Sequence, residues 1–569
     1  MRPFALPTFA VAAALTGCAG ASAGPASAAN GGQPLKFAAR STGPGITVRD
    51  LMSRLYVYAD DSMQGRAFGL EGNAKATEYI AAEAERIGLD PAGENGTYFQ
   101  TVPVALRLIS PNASLVVGGR RLALWNEWAP RDQLNGSRLL TGVPVVYGGA
   151  WADSLNRIDP AQVAGRIVVF AAGSLPDGKP AWEVNRAQAS AQYAAATAVI
   201  IGSLDATPGD VRAFYAQPSV RIGSESTSDV SRAPAFIYVT AGVLREILGG
   251  DPSAVARGAS LRPIEGGVSF TNGPPEAPAR NVVAVLRGSD PSVRNQFVAI
   301  GAHNDHIGFG APVDHDSLRA YNTVMRPGGV EGDDGRAPTA AESARIRAIL
   351  DSLRTLAPPR PDSIGNGADD DGSGTVTVLE IAQMMARGEK PRRSILFVWH
   401  TGEEAGLLGS DWFTRNPTVA RDSIVAQLNI DMVGRGRADD IANGGPAYLQ
   451  LIGSRRLSTE LGDIIERRNT RNGHDFVFDY QYDANGHPQQ FYCRSDHYMY
   501  ARYGIPIAFF TTGGHRDYHM VTDEPQYIDY RKMRRVALLV ADVGRYVANM
   551  AHRLKVDGPK PDPNEQCEQ

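Results

Sequence analysis

From residue 281 onward the sequence alternates between short apolar runs and longer amphipathic runs, and this alternation limits the fold more than any other feature. The apolar runs are typical of buried strands and lie at 281–286, 297–302, 394–399, 425–430 and 505–510. Residues 375–385 and 531–550, which lie between or after them, have the spacing of helices. This alternation predicts an α/β fold in which helices cover both faces of a sheet.

The rest of the chain divides by composition. Residues 110–270 contain short β-rich runs separated by Gly/Pro turns, which predicts an inserted mostly-β domain. Before it, a helix is predicted from Asn73, as the capping residue, to Leu89. The predicted division is a signal peptide (1–17), a flexible tether (18–33), an N-terminal part of the main domain (34–109), the inserted domain (110–270), the main domain (271–555) with an insertion at 309–365, and a polar tail (556–569).

The first residues are typical of an exported protein. A short charged start and an apolar stretch from Phe4 to Leu15 predict a secretory signal. Leu15-Thr16-Gly17-Cys18 resembles a bacterial lipobox, which would place a lipid anchor on Cys18. The alternative is ordinary cleavage near residues 21–23. The expected location is therefore periplasmic or on the outer membrane as a lipoprotein, with secretion as the alternative.

The two other cysteines are Cys493 and Cys567. An oxidising compartment would allow them to form a disulfide. Two free thiols are the alternative, and the sequence leaves the choice open.

Composition excludes some classes of function. Lys+Arg 57 against Asp+Glu 61 gives a net charge of −4, which argues against nucleic acid as a partner. All ten histidines lie at or beyond His303, so histidine chemistry belongs to the second half of the chain.

Polar residues stand at the carboxyl ends of the predicted strands, where open α/β sheets place their sites. They are His303 and Asp305, Asp369 to Asp371, Glu403 and Glu404, Asp431, and His519. Two Zn²⁺ ions that share one carboxylate need that bridge and two further ligands each. Two histidines and three carboxylates supply this set, and one glutamate of the adjacent pair remains free to act as a base.

Other chemistry fits less well. Asp369-x-Asp371-x-Ser373-Gly374 followed by Glu380 matches a calcium-loop pattern, but the preceding Pro-rich segment cannot form the helix that such a loop requires. Within the predicted domains, residues 34–555, no Gly-x-Ser-x-Gly motif of serine hydrolases occurs, and no phosphate-binding loop does.

Residues 309–365 separate two of these motifs. Thr339 and Glu342 form a capping box that opens a predicted helix with an apolar stripe. We expect this segment to be a lid or a wall of the pocket; a spacer without a role in catalysis is the alternative.

The motifs together resemble the zinc exopeptidase family that includes bacterial leucyl aminopeptidases, glutamate carboxypeptidase and glutaminyl cyclase. The matching segments are 61–66, 281–284, 302–308, 367–374, 401–410, 429–434, 495–497 and 518–519 with Asp523. The resemblance implies that residues 110–270 are a protease-associated domain. It also implies a mixed, mostly parallel sheet.

The resemblance assigns roles to individual residues. His303 and Asp431 would bind one zinc, Glu404 and His519 the other, and Asp370 would bridge the two ions. Glu403 resembles the general base, and Asp305 the carboxylate that orients the His303 ring. A cis peptide bond between Asp370 and Asp371 is implied as well. His306 and His497 are expected nearby but not as ligands.

These observations predict an exported di-zinc aminopeptidase that acts on peptide substrates through an activated water. A carboxypeptidase or other zinc amidohydrolase of the same family is the alternative and would need a cationic pocket. A binding protein without catalysis is a further alternative, but such relatives lose ligands, and all five positions are present here. The sequence does not reveal the preferred side chain or the oligomeric state.

Overall fold

The computed structural model describes residues 33–569 except 132–136, 154, 174–191, 208–211, 213–215, 217–218, 224–233, 331–334, 356–357 and 566. The predicted signal peptide, Cys18 and all but the last residue of the predicted tether lie outside the described residues. Among the residues that are described, no helix combines the length and the apolar character needed to span a membrane.

The chain begins with two helices and two short strands: α1 (Val48–Tyr58), α2 (Glu71–Ile87), β1 (Asp90–Pro91) and β2 (Phe99–Thr101). The N-cap of helix α2 is Leu70, three residues earlier than the predicted cap Asn73. Asn73 is fully buried instead; its amide donates to Asn304 Oδ1 (2.8 Å), and its side-chain oxygen accepts from the Thr401 hydroxyl (2.9 Å). Its side chain therefore links three segments that are distant in the sequence. These contacts occupy the polar groups that a helix cap would use.

In the described residues between 104 and 273, the chain forms three small sheets and one α-helix. Their elements are β3 (Val104–Ile109), β4 (Ser114–Val117), β5 (Arg120–Arg121), β6 (Trp128–Arg131), β7 (Arg138–Leu139), β8 (Val145–Ala150), β9 (Ile167–Ala171), β10 (Ala198–Gly202), β11 (Ser219–Ile222), β12 (Ala235–Val239), α3 (Ala241–Leu248), β13 (Ile264–Val268) and β14 (Phe270–Gly273). The largest sheet has the order β6-β12-β10-β9-β8. Its buried side chains pack in two clusters formed within residues 113–268, so this β region has hydrophobic cores of its own.

From Arg280 strands and helices alternate as the sequence predicts. The elements are β15 (Arg280–Leu286), β16 (Phe297–His303), β17 (Gly308–Asp314), α4 (His315–Met325), α5 (Ala340–Arg354), β18 (Pro361–Gly365), α6 (Gly374–Arg387), β19 (Ser394–His400), α7 (Leu408–Arg415), β20 (Ile424–Ile430), β21 (Tyr448–Ile452), α8 (Thr459–Arg471), β22 (Val477–Asp479), α9 (His497–Ala501), β23 (Ile507–Thr511) and α10 (Tyr530–Asn549).

The central sheet is mixed, as expected for this fold class. Its order is β1-β15-β19-β16-β20-β23-β21-β22, and β2 also pairs with β15. The four inner strands β19, β16, β20 and β23 are mutually parallel, and His303 at the end of β16 pairs in register with His400 at the end of β19. Parallel strands end at one edge of a sheet, so the residues that follow them meet there.

Helices cover both faces of this sheet because its strands are apolar on both sides. Along β15, Val282 and Ala284 contribute to the core under α1, α2, α6 and α10. Their neighbours Val283 and Val285 point the other way, into the core formed with α7 and α9. The predicted α/β class with helices on both faces is confirmed.

The insertion at 309–365 is a β17–β18 hairpin that carries α4 and α5. Helix α5 has the predicted capping box between Thr339 and Glu342. No described side chain of α5 is fully buried, although the helix packs against α4. Helix α5 therefore lies at the surface, whereas α4 has buried residues and its Arg319 and Asn322 contact Asp517 in the turn after β23.

Cys493 and Cys567 form a disulfide with an S–S distance of 2.00 Å, which resolves the alternative that the sequence left open. The bond closes a loop of 74 residues and attaches the C-terminal segment to the turn before α9. Gln569 strengthens this attachment, because its side-chain oxygen accepts from the Tyr492 amide (3.0 Å).

Removing this cross-link should destabilise the main domain. For a loop of 74 residues, the chain-entropy argument gives about 4 kcal/mol. We expect the double variant Cys493→Ser/Cys567→Ser to lose free energy of unfolding of that order in chemical denaturation.

The control is wild-type protein treated with a thiol reductant, which should approach the stability of the double variant. The double variant itself should not respond to the reductant. Equal stability of oxidised wild type and the double variant would contradict the prediction.

Candidate metal centre

The polar residues that follow the inner strands meet at one edge of the central sheet. His303 is the last residue of β16, and Asp431 follows β20 directly. Glu403 and Glu404 lie in the turn after β19, and His519 lies in the long turn after β23. Asp370 comes from a tight helical turn, Ala368–Ser373, immediately before α6.

The two carboxylate oxygens of Asp370 face two different groups of side chains. Its Oδ1 lies 3.0 Å from His303 Nε2, and that nitrogen lies 3.5 Å from Asp431 Oδ1. Its Oδ2 lies 3.1 Å from His519 Nε2, and that nitrogen lies 2.9 Å from Glu404 Oε2. A carboxylate placed between two such groups has the position of a bridge.

The chemistry of these atoms fits zinc. His303 Nε2, His519 Nε2 and Asp431 Oδ1 are buried and have no hydrogen-bond partner. His303 Nδ1–H donates to the backbone carbonyl of Asp305 (3.1 Å), which leaves its Nε2 without a proton and free to coordinate. Zinc at about 2.1 Å from tetrahedral ligands holds those ligands about 3.4 Å apart, close to the spacing found here.

Charge separates the roles of the adjacent glutamates. The pKa of Glu404 is lowered to about 2, because the His519 and His306 contacts outweigh burial and the repulsion from Asp370. Burial raises the pKa of Glu403 well above its usual range, and the nearby Asp431 and Glu404 carboxylates raise it further. Glu403 therefore has the proton affinity of a general base.

Asp305 lies beside the His303 ring, as the resemblance implies, and it also contacts the turn that carries Glu403. Its Oδ1 accepts a hydrogen bond from the Glu403 amide (3.1 Å). The same oxygen lies 3.7 Å from His303 Nδ1, whereas the Asp305 carbonyl is nearer. The residue thus fixes the His303 ring mainly through its backbone and fixes the Glu403 turn through its side chain.

Neighbouring carboxylates hold the turn that carries Asp370. Asp523 Oδ2 accepts from the amides of Asp369 (2.9 Å) and Asp370 (3.1 Å). The peptide bond between Asp370 and Asp371 is cis, as the family resemblance implies. On the outer side of this turn, Arg435 is buried among Asp440 (2.9 Å) and Asp517 (2.7 Å), with Asp523 3.9 Å away.

His306 is closer to this centre than the sequence suggests. Its Nδ1 lies 2.8 Å from Glu404 Oε1 and 3.7 Å from Asp370 Oδ2, so it joins Asp370, Glu404 and His519 in a group of four potential ligands. Ser495 was noted only as part of a motif, and its hydroxyl donates to Asp431 Oδ2 (2.7 Å). Both residues lie within the motif segments 302–308 and 495–497, and this placement is the signal by which the sequence identifies them.

The other histidines serve elsewhere. His497, expected beside the site, is fully buried and stacks on Phe509 at 4.5 Å. His400 is a core histidine, as predicted, with its Nε2 3.0 Å from the Tyr500 hydroxyl. His515 is buried behind the centre, 3.4 Å from Asp369. His315 lies in the insertion, beside Glu524.

A cavity of about 470 Å³ opens onto the centre. Asp370, Glu403, Glu404, Asp431 and His519 form its polar floor. The walls include the apolar side chains of Leu407, Met432, Phe491 and Phe509 together with the cationic Arg494. None of the described residues of the 309–365 insertion lines this cavity, so the role of the insertion stays a prediction.

Residues 281–544 match the model of peptidase family M28. This part of the chain belongs to peptidase family M28. The match spans the strands, helices and turns that bring the candidate ligands together, and it confirms the resemblance to zinc exopeptidases.

Curated relatives of this M28 domain are similar over part of their length. Leucine aminopeptidase 1 of Penicillium rubens is 29% identical over 178 residues, which cover 29% of this chain and 43% of the relative. A probable leucine aminopeptidase of Arthroderma otae is 35% identical over 107 residues, 18% of this chain and 30% of the relative. The chain thus spans less than half the length of these relatives.

Solved structures resemble the whole chain more loosely. An aminopeptidase from Aneurinibacillus sp. strain AM-1 superposes with a TM-score of 0.49 at 17% identity, covering 90% of this chain and 97% of that one. The zinc aminopeptidase BSAP from Bacillus subtilis gives a TM-score of 0.48 at 16% identity, with 88% and 95% covered.

Asp440 should stabilise the M28 domain in a pH-dependent manner. Although burial raises its pKa, the Arg435 and Arg516 guanidinium groups outweigh this and hold the pKa well below its usual range. A lowered folded-state pKa gives stability that is present above the unfolded-state pKa of about 3.9 and is lost as the pH falls below it. We expect Asp440→Asn to cost about 2 kcal/mol at pH 7 and progressively less below pH 4.

Chemical denaturation between pH 7 and pH 3 measures this difference. Asp439→Asn is the matched control, because Asp439 also pairs with Arg516 but is 73% exposed. That variant should lie within about 0.5 kcal/mol of wild type at every pH. A loss for Asp440→Asn that is independent of pH would contradict the proposed origin.

Proposed function

We propose that the chain is a zinc-dependent aminopeptidase that removes N-terminal residues from peptides. The observation that carries this proposal is the position of Asp370, whose two oxygens face separate groups of unpartnered ligand atoms. His303 and Asp431 would hold one ion, and Glu404 and His519 the other. The M28 match supports the same assignment.

The bound ions would polarise the scissile carbonyl and lower the pKa of water at the site. Glu403 accepts a proton from the attacking water and returns it to the leaving amine nitrogen. The Asp305 carboxylate supports this step, because its hydrogen bond to the Glu403 amide fixes the turn from which Glu403 reaches the cavity. Ser495 keeps the Asp431 carboxylate oriented.

The cavity supports a peptide substrate. Its apolar walls can hold a side chain, while its acidic floor attracts a free amine. The names of the curated relatives, leucine aminopeptidases, agree with an apolar first residue.

A carboxypeptidase, or another zinc amidohydrolase of the family, is the second candidate. A specific observation favours it: Arg494 supplies a cation in the cavity wall, as recognition of a free carboxylate would require. A binding protein without catalysis is disfavoured, because the bridging aspartate, four further candidate ligands and the base are all in place.

We also propose that the protein is exported. The disulfide between Cys493 and Cys567 supports an oxidising compartment. The N-terminal sequence supports a signal peptide and attachment through lipid on Cys18, and the β region at 110–270 supports a protease-associated domain.

A comparison of one short peptide with its N-acetylated form distinguishes the two exopeptidase activities. Each is incubated with purified protein, with and without a zinc chelator, and the product masses are followed. We expect stepwise loss from the free N-terminus, no reaction of the acetylated peptide and no reaction with chelator. Loss from the C-terminus of both peptides would instead establish the carboxypeptidase.

Replacing Glu403 by Gln should abolish turnover and leave zinc bound, because the amide keeps the shape of the side chain but cannot accept the proton. General acid–base groups typically contribute about 10² to 10⁴ in rate, so kcat should fall by at least that range. Zinc content by elemental analysis should remain at two ions per chain.

The contrasting variant is Asp370→Ala, which should lose zinc because both groups of ligands depend on this carboxylate. Normal turnover of Glu403→Gln would refute the role of Glu403. Undiminished zinc content of Asp370→Ala would refute the bridging role of Asp370.

A further inference from the structure

One wall of the cavity is a loop that is fixed to the C-terminal segment. The loop contributes Phe491, Cys493, Arg494 and Ser495 to the lining. Cys493 is bonded to Cys567, and Gln569 donates to the carbonyl oxygens of Tyr482 (2.6 Å) and Ala484 (3.0 Å). This attachment sets the backbone position from which Arg494 projects.

The Arg494 guanidinium has few partners within the protein. It lies 3.4 Å from Gln489 Oε1 and 5.0 Å from the centre of the Phe491 ring. In the described part of the chain it forms no ion pair, although four carboxylates line the same cavity. Asp370, Asp431 and Glu404 contact the histidines of the proposed metal centre instead of the arginine.

Exposed arginines are common on protein surfaces, and most need no functional explanation. Arg494 differs because it directly precedes Ser495, whose hydroxyl contacts the ligand Asp431 (2.7 Å). Its long side chain therefore projects from a backbone position next to the reacting centre. Among the described lining residues, Arg494 is the sole lysine or arginine.

A guanidinium with free donors binds a carboxylate through two parallel, charge-assisted hydrogen bonds, each roughly twice as strong as a bond between neutral groups. We propose that Arg494 is a specificity-determining residue that binds a carboxylate of the substrate within one or two residues of the scissile bond. The inference rests on the proposed peptidase function and names its substrate class: peptides that carry a nearby carboxylate. An acidic side chain and the free C-terminus of a dipeptide share this chemistry.

Three peptide pairs separate these sources, because the members of each pair differ only in the carboxylate. The pair Glu-Ala-Ala-amide and Gln-Ala-Ala-amide tests the first side chain. The pair Ala-Glu-Ala-amide and Ala-Gln-Ala-amide tests the second side chain. Leu-Leu and Leu-Leu-amide test the free C-terminus. We expect wild type to prefer the carboxylate member of at least one pair by about tenfold in kcat/KM, the effect of one charge-assisted hydrogen-bonded pair.

The variant Arg494→Met should remove that preference, mainly by raising KM for the carboxylate member, and should leave kcat/KM for the neutral member within about threefold. Arg494→Lys should keep part of the preference, because the charge remains while the two parallel hydrogen bonds are lost. Arg494→Glu should reverse it through like-charge repulsion.

Arg287→Gln is the matched control, because Arg287 is 57% exposed and pairs with Asp90 outside the cavity. It should keep the wild-type ratio for all three pairs. Melting temperature and zinc content of the Arg494 variants show that any change in the ratio is not a loss of the fold or of the metal.

Binding distinguishes a failure of this inference from a failure of the proposed function. The peptides are titrated by calorimetry into the Glu403→Gln protein and into the Glu403→Gln/Arg494→Met protein. Tighter binding of a carboxylate member that disappears with Arg494→Met supports the inference. Equal affinity within every pair would overturn the role of Arg494 while hydrolysis by wild type stood. Absence of both hydrolysis and binding for all six peptides would overturn the peptidase function itself.

Discussion

Repulsion among buried carboxylates is the constraint on which the rest of the centre depends. Asp370, Glu403, Glu404 and Asp431 line one cavity at the edge of the sheet. Like charges this close cannot all ionise unless cations lie between them. The histidines provide part of that charge, and the pKa of His519 rises to about 10 because the Glu404 and Asp370 contacts outweigh its burial. Divalent ions in the same positions would neutralise the site more completely, and they would bind to the same oxygen and nitrogen atoms.

The environment explains why two adjacent glutamates behave differently. Glu404 contacts His306 and His519, so it stays ionised, as a ligand must. Glu403 is buried near other carboxylates, which raises its pKa. It therefore holds a proton readily, as a general base must after it has taken the proton from water. The turn after β19 thus supplies two adjacent carboxylates, one with a raised pKa and one with a lowered pKa. The pair of residues in the sequence predicts the acids but not this difference, which arises from what each side chain contacts.

Asp371 links the elements that must be held in register around these acids. Its Oδ2 accepts from the His303 amide (3.1 Å), and its Oδ1 accepts from the amides of Gly374 (2.8 Å) and Met432 (3.2 Å). One side chain therefore fixes the end of β16, the start of α6 and the turn after β20. These hydrogen bonds hold the backbone next to the candidate ligands, although Asp371 itself is not one of them.

The strands and the ligand turns could be predicted because both depend on local patterns. Apolar runs place the inner strands within two residues of their observed ends, and polar residues after them mark the site. Residues whose partners lie far away in the sequence could not be predicted. The sequence predicts Asn73 as a local cap, yet its side chain binds Asn304 and Thr401. The spacing of Cys493 and Cys567 contains no information on their distance in the fold, so their pairing stayed open.

The chemistry and the selectivity of the centre come from different parts of the fold. The candidate ligands and the proposed base lie at the ends of parallel strands or in turns fixed by buried carboxylates, so their positions follow from the sheet. The wall with Phe491 and Arg494 belongs to a loop outside the sheet, and a disulfide to the C-terminal segment holds it in place. Substitutions in this loop can alter the charge and shape of the cavity without moving a ligand. On the proposed function, the sheet would determine which reaction is possible, and the loop attached by the disulfide would determine which substrates are accepted.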